Sequence, residues 1–323
     1  MLDNKTIKLI EATSETLEVS AYVVEKDFYV TKAIHALSHI KNENFQLIFQ
    51  GGTCLSKAHR IVQRMSEDCD FRMQSNQAIK QLTNNALRNS LRAYRKQIHQ
   101  SLEDTGFNVD EKNIQISNAG QFMRIKLEYE TLYSPAKNMR PHLLLEFINV
   151  DTQSSILELP VTTLIKQTLG DEIDHPVRTI KCISILETAA EKWVAFTRRL
   201  ASIERGYREF DGTLIRHLYD LHKIDQLNHL EPSFNDMVVK LILEDKERYK
   251  NQNPEFDSNP TQEIINVVNL LPSHSRWRQE WEYFTNTMVF NHELITYDDT
   301  VNIFVKCSNN LIEHMNKKSM LFR

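Results

Sequence analysis

The chain has 323 residues, 41% hydrophobic and 25% charged, with a formal net charge of −4. That is enough apolar material for one large domain or two ordinary ones, and it excludes a generic polyanion binder, so any nucleic-acid surface has to be local. The four cysteines, at positions 54, 69, 182 and 307, form no CxxC pair, which argues against a zinc site or a disulfide scaffold and for a reducing cytoplasm. The charged start, Met1 to Ile10, has no apolar signal core, and no run reaches the roughly 18 apolar residues of a membrane span. In chain order, the patterning predicts helices over 2–19 and 22–38, the second carrying Glu25-Lys26-Asp27, then a buried strand over 45–50. A helix over 53–64, a short strand over 68–73 and a long helix over 78–103 follow. Two β-rich segments, 121–130 and 142–150, flank a polar loop, and a short strand is expected over 177–180. From Ser184 onward the chain reads as helical, interrupted at 204–212, 229–232 and 251–262, the last being the loosest tract. The expected plan is α+β: a mixed-sheet core with N-terminal helices over 1–180, then an α-helical domain over 181–323.

The most informative stretch runs from Gln50 to Phe71. Only seven glycines occur in the chain, and Gly51 and Gly52 sit side by side between the strand and the following helix. A strand that breaks there into a helix exposes backbone N–H groups that can cradle a phosphate. Thr53 and Ser56 bring hydroxyls to the same helix start, where they can also simply cap it. In Ser66-Glu67-Asp68-Cys69-Asp70-Phe71 the two aspartates are one residue apart, so on a strand both face the same side. Paired carboxylates on one face are what magnesium-assisted phosphoryl or nucleotidyl transfer requires. Glu146, an acid within Leu143-Leu144-Leu145-Glu146-Phe147, is the preferred third metal acid, because a lone carboxylate there needs a partner or a metal. Glu128 is its competitor, on a strand whose alternation turns it to water. Lys57 and Arg64 can hold a triphosphate. Arg64 can equally pair with Glu67 or Asp68, and a glycine turn followed by acids can be ordinary turn chemistry.

The helical half holds a second constellation. Lys192 sits beside the apolar face formed by Leu186, Ala189, Ala190, Trp193, Val194 and Leu200. It reads as a charge clamp for a triphosphate or as a snorkelling lysine at the edge of a core. Arg216 and Asp220 are four residues apart, so they pair with each other or point together toward a nucleotide. On the long helix, Arg88, Arg92, Arg95, Lys96 and His99 make a basic face opposite Leu87, Leu91, Tyr94 and Ile98. This is either an RNA-backbone stripe or a solvated surface, and Tyr94 belongs to the core.

Five separated motifs together resemble a known family. Glu25-Lys26-Asp27-Phe28, Gly51-Gly52-Thr53-x-Leu55, Ser66-Glu67-Asp68-x-Asp70-Phe71, Ala190-Glu191-Lys192 and Arg216-x-x-Tyr219-Asp220-Leu221 are similar to those of the AbiEii toxins. These are the nucleotidyltransferase components of AbiE-type (type IV) toxin–antitoxin and phage-defence systems, related to the MenT toxins. The resemblance spans residues 20–225. It implies a DNA-polymerase-β-like core, magnesium, a nucleoside triphosphate and a cognate antitoxin. From the MenT relatives it also implies addition of nucleotides to the tRNA acceptor end. By position, Asp68 and Asp70 would be the metal acids, Gly51 and Gly52 the phosphate cradle, and Lys192 and Asp220 members of the later motifs. The chain departs from the superfamily's usual Gly-Ser with Gly-Gly. It also has His217 after Arg216, where relatives often place Asp, so the acid of the last motif is Asp220 or that role is lost.

The expectation that follows is a magnesium-dependent transfer of a nucleoside monophosphate from a triphosphate to RNA, with the tRNA 3′ end as first choice. Two other classes remain: a transferase modifying a protein or small molecule, and a nucleotide-binding module without catalysis. Turnover that survives loss of Asp70 would exclude the first.

Overall fold

The computed structural model describes residues 2–135, 139–170, 173, 176–227, 230, 232–290 and 293–321. The chain divides into two compact units, Met1–Ser184 and Ile185–Arg323. The first contains α1 (Asn4–Leu17), α2 (Ala21–Ser38), β1 (Phe45–Gln50), α3 (Gly51–Lys57), β2 (Asp68–Ser75), α4 (Gln77–Lys80) and α5 (Asn84–Glu103). It continues with β3 (Ile114–Ser117), β4 (Phe122–Leu127), β5 (Leu143–Ile148), β6 (Leu157–Val161), α6 (Leu164–Leu169) and β7 (Arg178–Cys182). The strands form one seven-stranded sheet in the order β3-β4-β5-β2-β1-β7-β6. β2 runs parallel to β5 and β1 parallel to β7, while the other neighbours are antiparallel.

Strand alternation decides what each face of this sheet carries. Phe45, Leu47 and Phe49 of β1, Cys69, Phe71 and Met73 of β2, and Leu143, Leu145 and Phe147 of β5 are buried together with Val30, Ile34 and Leu37 of α2 and Leu91, Tyr94, Ile98 and Leu102 of α5. Phe49, Phe71 and Phe147 lie in one cross-strand row, with ring centroids 5.2 Å apart at each step. The residues between these, including Asp68, Asp70 and Glu146, therefore face the other side.

The second unit is helical: α7 (Ile185–Glu204), α8 (Ile215–Gln226), α9 (Pro232–Arg248), α10 (Pro254–Ser258), α11 (Pro260–Leu270), α12 (Ser275–Met288) and α13 (Tyr297–Leu321). Its core stacks Trp193 on Phe304 at 5.8 Å, with Phe196 edge-on to both Phe304 and Trp277. No helix among the described residues is long and apolar enough to cross a membrane.

Several elements differ from the sequence expectation. The helix after the glycines runs from Gly51 to Lys57 rather than over 53–64. It ends because the amides of Ala58 and His59 both donate to Cys54 O, and Arg60 takes a left-handed φ of 58°. The long helix is split, with Asn76 capping α4 and Thr83 capping α5 through their side chains. The edge strands β3 and β6 and the helix α6 were not expected; short edge strands carry little hydrophobic periodicity. The tract 251–262 is helical for most of its length. Asn253-Pro254 and Asn259-Pro260 each place a side-chain cap immediately before a proline in the first turn. Of the break expected over 229–232, residues 229 and 231 lie outside the described residues, and α9 begins at Pro232.

Candidate active site

The acid pair stands at the start of β2, which pairs with β1 on one side and β5 on the other. Across the sheet, Gln50, Asp70, Glu146 and Arg124 occupy one row in register. Asp68 and Asp70 are both only partly buried, so the face is open to solvent. Sequence spacing therefore places three acids on one face, as the alternation requires.

Gly51 lies directly beneath Asp70. A Cβ at Gly51 would come within 2.3 Å of Asp70 Oδ2, and the residue adopts φ +79°. Both observations demand glycine. Gly52 plays the same part for a cation: a Cβ there would stand 2.5 Å from Arg64 Nη2 and 3.2 Å from Ser66 Oγ. Arg64 is buried and donates to Met65 O at 3.0 Å. Thr53 donates its hydroxyl to Asp68 O and shares a 2.7 Å hydrogen bond with the Ser66 hydroxyl, stitching the first turn of α3 to the start of β2. Gln50, the N-cap of α3, makes no side-chain cap hydrogen bond.

The acids are met by arginines. Arg140, just before β5, pairs with Asp68 through Nη1, with Nη2 3.5 Å from Oδ2. Arg124 gives Nε at 2.7 Å and Nη2 at 2.6 Å to Glu146 Oε1. Burial lowers the Arg140 pKa, but Asp68, Glu67 and Glu146 together outweigh it, and the net shift is upward. Arg72, fully buried in β2, donates to Gln50 Oε1 at 2.6 Å and to Asp151 O at 2.7 Å. Neither Arg124 nor Arg140 was foreseen from the sequence. Arg140 sits in an irregular segment whose partner is 72 positions away, and no local pattern encodes that.

Glu25-Lys26-Asp27 lies under this site rather than in it. Glu25 accepts from the Leu132 amide at 2.8 Å and from the Thr131 hydroxyl. Lys26 pairs with Glu67 at 2.7 Å, both side chains being almost fully buried. Asp27 takes Lys57 Nζ at 2.5 Å and the Leu164 amide at 2.7 Å. Lys57, expected to touch a triphosphate, also contacts Thr31 Oγ1 at 2.7 Å and Thr162 O at 3.4 Å, so its three N–H donors all have protein partners.

Elsewhere the expected residues fall as follows. Glu128 is exposed, and its side chain accepts a 3.3 Å hydrogen bond from Asn113. Arg88, Arg92 and Lys96 are exposed along α5, whereas Arg95 is half-buried and donates to Gly120 O at 2.6 Å. Burial pulls the Arg95 pKa down, and Arg92 and Arg88 add to this. In the second unit, Lys192 Nζ lies 2.7 Å from Asp220 Oδ2, with 8% and 0% of the two side chains exposed. Asp220 thus meets a lysine from another helix.

The donor chemistry fits a divalent metal: two hard carboxylates share one solvent-facing side of β2, with a third in register beside them. The three do not form a finished cage, because Glu146 is engaged by Arg124 and Asp68 by Arg140. Among the described residues no group of three or more His, Cys, Asp or Glu side chains is arranged to hold a metal ion.

The site is thus a mixed sheet that carries an acid pair opposite a Gly-Gly strand-to-helix turn. The family described as nucleotidyl transferase AbiEii toxin, type IV TA system, matches residues 35–303. The chain therefore belongs to that family and is a nucleotidyltransferase of a type IV toxin–antitoxin system. Its fold is similar to that of MenT4, a nucleotidyltransferase toxin from Mycobacterium tuberculosis H37Rv, at 15% identity and a TM-score of 0.50, covering 94% of this chain and 98% of that one. JHP933 from Helicobacter pylori aligns at 12% identity and a TM-score of 0.47, covering 94% and 97% of the two chains. No curated protein matches the sequence.

Proposed function

We propose that the protein transfers a nucleoside monophosphate from a nucleoside triphosphate to an RNA acceptor, the tRNA 3′ end, with Mg2+ as the metal, as the toxin of a phage-defence system held in check by its antitoxin. The observation that carries this is the placement of Asp70. It stands in the same row as Glu146, two residues from Asp68, against the bare backbone of Gly51.

In this reading Asp68 and Asp70 would hold the metal, with Glu146 in register beside them and held by Arg124. Bound Mg2+ supplies charge that neutralises the phosphate oxygens and eases loss of the hydroxyl proton. The N–H groups of Gly51, Gly52 and Thr53 at the uncapped start of α3 donate to the phosphates, and Ser66 and Arg64 border the same turn. The acceptor 3′-hydroxyl oxygen forms a bond to the α-phosphorus while the bridge to the β-phosphate breaks. Pyrophosphate departs and the hydroxyl proton goes to water. Asp70, fixed in position by the sheet, sets the line of that displacement. Lys57 has no part in it, since Asp27, Thr31 and Thr162 use its donors. Arg88, Arg92 and Lys96 form the RNA-facing stripe, and Arg95 anchors the helix that carries it.

The test is to incubate the full chain with each α-labelled triphosphate, Mg2+ and total tRNA, beside Asp70→Asn. Label in tRNA that vanishes in the variant is the expected result. Label in protein or a small molecule would change the acceptor class, and equal labelling by Asp70→Asn would end the proposal.

A further inference from the structure

Arg140 is held by its backbone far more firmly than a surface ion pair requires. Its N–H donates to Glu67 Oε2 at 3.0 Å, and its carbonyl accepts from the Tyr22 hydroxyl at 2.8 Å and from Lys26 Nζ. Tyr22 and Lys26 belong to α2 and are fully buried, and Lys26 is in turn locked to Glu67 at 2.7 Å. Glu67 is the residue immediately before Asp68. Beyond this fixed pivot the side chain extends over the acid face, 36% exposed, and rests on an Asp68 carboxylate that is 28% exposed. A pair this exposed contributes little to stability, so three hydrogen bonds to buried partners are not explained by the pair itself. They fix the point from which the guanidinium swings.

The partner is equally informative. Asp68 is one of the two carboxylates assigned above to the metal, and Asp68, Glu67 and Glu146 all hold the guanidinium's charge. Without a cation on the acid face, Arg140 neutralises Asp68. A divalent cation on Asp68 takes over that carboxylate's charge and repels the guanidinium. The triphosphate comes to the same cation, and its oxygens suit a planar two-pronged donor as well as a carboxylate does.

We infer that Arg140 is a triphosphate-binding residue that exchanges partners: it sits on Asp68 in the nucleotide-free protein and moves to the phosphates when cation and nucleotide load. This rests on the reading of Asp68 and Asp70 as metal acids. It makes cation and triphosphate binding mutually dependent through a single side chain.

The test measures binding, not turnover. Mn2+ binding to the nucleotide-free full chain is followed by the paramagnetic resonance signal of free Mn2+. Binding of inorganic triphosphate to the Mn2+-saturated protein is followed by calorimetry, which removes any dependence on the base. In Arg140→Gln, Mn2+ should bind several-fold more tightly, because its competitor is gone, while triphosphate should bind roughly ten-fold more weakly, from the loss of a charge-assisted contact. Arg140→Lys keeps the charge and should hold Mn2+ affinity near wild type and restore part of the triphosphate affinity. A merely structural role would move both affinities the same way. Unchanged or weaker Mn2+ binding in Arg140→Gln, or unchanged triphosphate binding, overturns the assignment. Asp70→Asn run in parallel separates the two layers. If it loses Mn2+ while Arg140→Gln behaves like wild type, only the role of Arg140 falls. If it binds Mn2+ normally, the metal-site reading falls and takes Arg140 with it.

Discussion

In the first unit Asp68 faces Arg140 with 28% and 36% of the two side chains exposed, whereas in the second unit Asp220 faces Lys192 with 0% and 8% exposed. The sequence presents both aspartates in the same way, as members of short motifs beside apolar residues. Their surroundings give them different physics. An exposed pair is weak, screened and free to re-form with another charge. A sealed pair has already lost its water, so removing either partner leaves an uncompensated buried charge. The Asp68–Arg140 pair is therefore the one free to re-form with another charge, and the Lys192–Asp220 pair is a fixed part of its unit.

Five single-residue variants, one double variant and a change of pH would break or sharpen this contrast. The largest effect belongs to Asp68→Asn: nucleotide transfer should fall by roughly 10³-fold or more, while the urea midpoint hardly moves. A variant that unfolds early instead would put Asp68 with the structural pairs. Asp220→Asn should do the reverse first, costing about 3–5 kcal/mol of stability by urea denaturation. The double change Lys192→Met with Asp220→Leu should recover much of that loss. If Asp220→Asn is as stable as wild type, the pair is not sealed.

Gly51→Ala comes next. At φ +79° the left-handed backbone alone should cost about 1–2 kcal/mol. The new Cβ also displaces the Asp70 carboxylate, so transfer should drop even where the protein remains folded. Arg124→Gln, which breaks the half-exposed pair with Glu146, should change stability by less than about 1 kcal/mol; a larger loss in the same urea assay would show that Glu146 cannot be released.

The smallest effect is that of pH. Burial holds the imidazoles of His35 and His222 below their usual value of 6.5, so the unfolded chain takes up protons at these positions more readily than the folded one. Stability should therefore be complete above pH 6.5 and decline as the pH falls below it, and urea midpoints on either side of that value in wild type and His35→Gln would show the slope flatten in the variant.

Much of the sheet was legible because alternation is a local signal. The same period that buries Phe71 turns Asp68 and Asp70 outward, and Gly51-Gly52 marks a turn by composition alone. Glu146 was legible as an acid in an apolar strand, but its engagement by Arg124 was not. Lys57 misled for the same reason in reverse: a lysine on the helix after a glycine turn invites a phosphate role, and only the fold brings Asp27, Thr31 and Thr162 around it. The tract 251–262 was misjudged despite a local signal, since Asn-Pro twice over is a cap followed by a first turn and not only a loop mark.

The sequence alone determined the α+β plan, the acid pair on one strand face, the glycine bend beside it and the helical second half, since each is written in spacing between near neighbours along the chain. Tertiary structure decided which charges meet. Arg140 reaches Asp68 across 72 positions and Lys26 reaches Glu67 across 41. An ion pair's strength and exchangeability depend on how much water the fold leaves around it, and no interval along the chain contains that quantity.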